Sequence, residues 1–107
     1  MLKFEFYNKE ELKAFIRLVQ EIIMELESEN MNCNDNFQRF EIQAKIELME
    51  EMLPKIEKKQ FNAQQKNSVH LSKAVSLILF QYRIIAVDIY AEMLKSRLVQ
   101  EIHREMI

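Results

Sequence analysis

Two histidines and one cysteine are the side chains of this 107-residue chain best suited to catalysis or metal binding. His70 sits between Val69 and Leu71, and His103 lies near the end of a long helical run. A metal site needs several donors converging on one point. The carboxylate di-iron arrangement needs a Glu three residues before the His on each of two helices. Here those positions hold Asn67 and Gln100. Neither histidine has a local donor set, so no bound metal or cofactor is expected. Cys33 stands in the run Asn30-Met31-Asn32-Cys33-Asn34-Asp35-Asn36. Its thiol would need a base or a helix N-terminus beside it to become a nucleophile, and without a triad spacing it reads as inert. A single cysteine cannot close an internal disulfide, which points to a reducing, cytoplasmic compartment. The opening Met-Leu-Lys-Phe-Glu-Phe has no apolar signal core, in keeping with that expectation.

Arg97 and His103 form the one spacing with a catalytic counterpart. Arg97-Leu-Val-Gln-Glu-Ile-His103 resembles the Arg-x(4–6)-His motif of HEPN-type ribonucleases. The resemblance covers seven residues of the chain. It implies a small helical dimer in which Arg97 and His103 activate a ribose 2′-hydroxyl and stabilise the cleaved phosphate. A second alternative comes from charge. Lys55, Lys58, Lys59 and Lys66 concentrate positive charge, and residues 55–73 sum to +4. With Phe61 as a stacking aromatic, the Lys55–Lys66 segment suggests a nucleic-acid-associated regulator. The whole chain, at a net charge of −2, lacks the basic footprint of broad nucleic-acid binding, so that partner is not the leading expectation.

Composition excludes more than it identifies. The chain has no glycine and one proline, Pro54, where roughly seven glycines would be usual. Gly-rich phosphate loops, dinucleotide fingerprints and EF-hand turns all need glycine backbones, so none can be present. The most apolar window, Ala74 to Leu94, carries Gln81, Arg83, Asp88 and Glu92. An Arg or Asp at a membrane centre costs about 2.5–3.5 kcal/mol, so a buried helix explains this window better than a membrane span.

Periodicity supplies the elements. Leu2, Phe4 and Phe6 alternate with Lys3, Glu5 and Tyr7, the pattern of a short strand. Asn8 followed by Glu11 has capping-box spacing and starts a helix running from Lys9 to about Glu29. Asp35 or Asn36 caps a second helix from Phe37 to about Leu53. That helix carries two apolar lines: Phe37, Phe40, Ala44, Leu48 and Met52, and Ile42, Ile46, Met49 and Leu53. Two lines call for two neighbours. Pro54 removes a backbone donor and disfavours α geometry at Leu53, so it should end or kink this helix. Val69 and Leu71 alternate with Ser68 and His70, predicting a strand at 68–71, with a helix start at Ser68 as the competing reading. Ser72 then caps an uninterrupted last helix to Glu105, about 50 Å long. One of its stripes is Leu77, Phe80, Ile84, Val87, Ala91, Leu94, Leu98 and Ile102.

The expected architecture is mainly α. It is a three-helix bundle with a long C-terminal helix and a short two-stranded ribbon (residues 2–7 with 68–71), forming one helical domain over residues 1–107. The leading functional expectation is a small non-catalytic protein–protein interaction module, an adaptor or inhibitor, with no membrane association. Because the last helix should project beyond its own chain, a homodimer is expected, with Ala91, Leu94, Leu98 and Ile102 as the interface.

Overall fold

The computed structural model describes residues 2–62, 64, 67–85 and 88–106. Lys66 of the basic segment and Val87 of the apolar stripe lie outside the described residues. In chain order the elements are β1 (Leu2–Phe6), α1 (Lys9–Met31), α2 (Asn36–Glu57), β2 (Asn67–Leu71), α3 (Lys73–Gln81) and α4 (Ile89–Met106). The chain is mainly helical, at 72% of its described residues.

The ribbon forms as alternation requires. β1 and β2 pair antiparallel, with Leu2 opposite Leu71, Phe4 opposite Val69 and Phe6 opposite Asn67. Leu2, Phe4, Phe6, Val69 and Leu71 all turn inward and are buried. Phe4 and Phe6 meet Phe15 of α1 at ring-centroid distances of 6.2 and 5.4 Å, fixing the ribbon on the first helix. The start of α1 is held reciprocally. Asn8 Oδ1 accepts from the Glu11 N–H at 2.8 Å, and Glu11 Oε1 accepts from the Tyr7 N–H at 2.7 Å. Asp35, rather than Asn36, caps α2, with Oδ1 accepting from the N–H groups of Phe37 and Gln38.

Pro54 does not end α2, which continues to Glu57, and the Lys58 N–H donates to the Pro54 carbonyl at 3.2 Å. Its ring stands on the exposed side of the last turn. The acceptor it leaves unpaired within the helix is the carbonyl of Glu50, itself an exposed residue that water can reach.

The single long last helix is also corrected, because it is two helices folded into a hairpin. Ser72 Oγ accepts from the Val75 N–H at 3.2 Å and starts α3. At the far end the Tyr82 hydroxyl donates to Glu29 Oε2 at 2.5 Å, tying this point to the last turns of α1. Burial, and after it the Glu29 carboxylate, push the Tyr82 phenol well above its ordinary range and keep it a donor. α4 begins at Asp88, whose Oδ1 accepts from the Ala91 N–H at 2.8 Å. Asp88 Oδ2 takes both Nε and Nη2 of Arg17, at 2.8 and 2.6 Å, so α4 starts level with the middle of α1. From there it returns along α1 toward the ribbon.

That return decides the fate of the interface stripe. Ala91, Leu94, Leu98 and Ile102 are buried, none more than 2% exposed, in the same core cluster as the apolar face of α1. Within one chain they are core residues packed against α1, so the expectation that they project bare beyond the bundle is corrected. An unbroken helix would have carried them past the end of the bundle. The hairpin turns them inward instead.

The Asp88 node has a measurable consequence. The Ala91 N–H, and with it the Arg17 guanidinium, hold the Asp88 carboxyl below the usual aspartate range, against an opposing desolvation effect. A depressed carboxylate stabilises the fold above the ordinary Asp range and loses that contribution as pH falls through its folded pKa. Thermal melts between about pH 6 and about pH 3 should therefore show a smaller loss of Tm in Asp88→Asn than in the wild type. Equal losses would show that this node does not couple to acid unfolding.

Candidate functional site

Arg97 is the most heavily engaged polar side chain of α4. Its Nη1 donates to the Glu5 carbonyl and its Nη2 to Glu11 Oε1, each at 2.8 Å. The guanidinium carbon lies 4.4 Å from the Phe4 ring centroid and 4.1 Å from that of Tyr7. Glu11 is thus shared: the same oxygen that holds the Tyr7 N–H also holds Arg97. One guanidinium between two rings fastens α4 to β1 and to the first turn of α1. Only the capping box was legible here. The strand that brings Phe4 and Tyr7 to Arg97 is more than eighty residues away in the chain.

His103 is exposed. Six residues of helix place it about 120° around the axis from Arg97, so the two side chains leave α4 on different flanks. His70 borders a cleft of about 230 Å³ between α2 and the start of α3, with Leu48, Met52, Lys55 and Val75. Cys33 Sγ lies 3.5 Å from the Asp35 carbonyl and 3.5 Å from Gln38 Oε1, neither of which is a base. Among the described residues no three His, Cys, Asp or Glu side chains converge in a way that could hold a metal ion. Lys55, Lys58 and Lys59 are exposed at the end of α2, and Lys55 Nζ is 3.9 Å from Glu51. Lys95 is a surprise of the tertiary fold. It is 4% exposed on the inward side of α4, with Glu92 3.3 Å from its ammonium group.

The surface that stands out is apolar. Along the outer side of α2, Phe37 is 71% exposed, Phe40 76% and Leu48 37%, with Ala44 exposed between them. At the start of α4, Ile89 is 79% exposed and Met93 66%, one turn apart on one face. The inner line of α2 packs on the core through Ile46 and Met49, with Ile42 and Leu53 half-buried beside them. Of the outer line only Met52, at the α3 end, is half-covered.

These features define a mainly helical chain with a two-stranded ribbon and two outward apolar helix faces. Searches of protein families, of curated proteins and of solved structures each returned no significant match. Among the described residues no helix is long and apolar enough to cross a membrane.

Proposed function

We propose that this protein is a non-catalytic protein–protein interaction module, an adaptor or inhibitor that works through the outer faces of α2 and α4. The observation that carries the reading is the exposure of large apolar side chains in register on these helices. Phe37 and Phe40 fall on one side of α2, and Ile89 and Met93 on one side of α4. Scattered single hydrophobics are ordinary on a protein surface, but aligned ones at helical spacing mark contact faces. The α4 face suits a different protein, because its apolar centre is bordered by Glu92, Ser96 and Gln100, the polar rim of a transient contact.

The test uses the tagged full chain as bait in extracts of its native host, beside the variant Ile89→Glu/Met93→Glu. Both substituted positions are exposed, so circular dichroism should be unchanged. The expected result is a protein retained by the wild type and released by the variant. Identical retention by both would remove the α4 face from the function.

A further inference from the structure

We infer that the outer edge of β2 binds an extended acidic segment of another protein, which joins the ribbon there as a third strand. Hydrogen bonding identifies the edge. The Glu5 carbonyl accepts from Arg97 and the Tyr7 N–H donates to Glu11, so these residues of β1 and its continuation turn their backbone groups away from β2. The ladder therefore runs through the pairs Leu2–Leu71, Phe4–Val69 and Phe6–Asn67. By the same alternation Ser68 and His70 direct their N–H and C=O groups away from β1. Among the described residues no group bonds to these donors and acceptors. The outer edge of β1 is closed by Arg97 and Glu11, whereas that of β2 is open. An open strand edge specifies its occupant's backbone: an extended main chain whose donors and acceptors match.

Charge specifies the side chains. From Lys58 to Val87 the sequence holds four lysines, one arginine and no Asp or Glu, so β2 lies in a stretch free of carboxylates. At the Leu71 end of the edge is the cleft of about 230 Å³ bordered by His70, with Leu48, Met52 and Val75 as its apolar lining. Lys55 lines it from α2, and Lys58 and Lys59 follow three and four residues on, exposed at the end of that helix. Lys73 is exposed beside Ser72 at the start of α3. Against these cations stand Glu5, opposite Ser68 in the ribbon, and Glu51, already 3.9 Å from Lys55. A strand with acidic side chains outward, opposite Ser68 and His70, and an apolar one inward at the cleft fits both features. A second copy of this chain does not, because pairing β2 with β2 would bring two carboxylate-free stretches together.

The probe is a fluorescently labelled peptide alternating Glu and Val over seven residues, with a Lys and Val counterpart. Anisotropy with the full chain should show saturable binding of the acidic peptide with Kd below about 1 mM. The basic peptide should bind at least about tenfold more weakly. His70→Pro removes an N–H that the ribbon does not use, so circular dichroism should be unchanged while affinity for the acidic peptide falls about tenfold. Amide exchange reads the same edge without a substitution: the Ser68 and His70 N–H groups should slow when the acidic peptide is added. Absence of binding at 1 mM, equal binding of the two peptides, or unchanged exchange at Ser68 and His70 would each overturn the proposal. The site goes beyond the helix-face reading and is separate from the α4 face. Ile89→Glu/Met93→Glu should bind the peptide as the wild type does, so either reading can fail alone.

Discussion

Leu94→Glu combined with Leu98→Glu is expected to unfold the protein. Both leucines are buried, at 0% and 2% exposure, where α4 lies on α1. Truncating a buried leucine costs about 2–5 kcal/mol, so the pair costs about 4–10 kcal/mol before the two carboxylates are considered. Placing those carboxylates in the core without partners adds several kcal/mol more or forces them to protonate. Against a typical stability of about 5–15 kcal/mol, little or none remains. Circular dichroism should show most of the helical signal gone and no cooperative melt. A folded variant with wild-type ellipticity would mean that this stripe faces solvent or a partner. The contrast with Phe40→Glu is the useful one. The same change of chemistry on α2, where the ring is outside the core, should leave the fold intact.

Arg97→Ala is expected to produce the largest loss from any single polar side chain. It removes two hydrogen bonds and two ring contacts at once, and leaves Glu11 with a half-buried carboxylate. Breaking a fully buried pair costs about 3–5 kcal/mol. Here the side chains of Arg97 and Glu11 keep 21% and 14% of their exposure, and water screening brings the figure to about 2–3 kcal/mol. For a chain of this size that lowers Tm by roughly 10–20 °C. Arg97→Lys should recover less than half of the loss, because an ammonium group can satisfy neither the fork nor the stacking. His103→Ala, at an exposed position, should shift stability by no more than about 0.5 kcal/mol. This difference matters for the ribonuclease alternative. RNA cleavage lost in Arg97→Ala would mix chemistry with the loss of the clamp, whereas loss in His103→Ala would report chemistry alone. An Arg97→Ala variant melting with the wild type would show that this clamp contributes nothing.

What could be read along the chain was local. The alternation of Leu2, Phe4 and Phe6 specified β1, and Val69 and Leu71 specified its partner. Asn8 with Glu11, Asp35 and Ser72 marked three helix starts, because a cap and the N–H groups it satisfies lie within three residues of each other. Pro54 did not stop α2, because it stands on the exposed side of the last turn, where water can reach the carbonyl it leaves unpaired. Between Tyr82 and Asp88 the sequence does hold a quiet signal. Ile84 and Ile85 are β-branched, and Asp88 stands three residues before the N–H it accepts. It is too weak to predict a break without the ties that enforce it.

Those ties are long-range: Tyr82 to Glu29 spans 53 residues, Arg17 to Asp88 spans 71 and Arg97 to Glu11 spans 86. No window of sequence contains both ends of any of them. Periodicity therefore determined that Ala91, Leu94, Leu98 and Ile102 form an apolar face, and that Phe37, Phe40, Ala44 and Leu48 form another. Only the tertiary structure decided that the first is core and the second is surface. Apolar burial is non-directional: a stripe gains the same from its own α1 as from a foreign helix, and only the path of the chain determines which one reaches it.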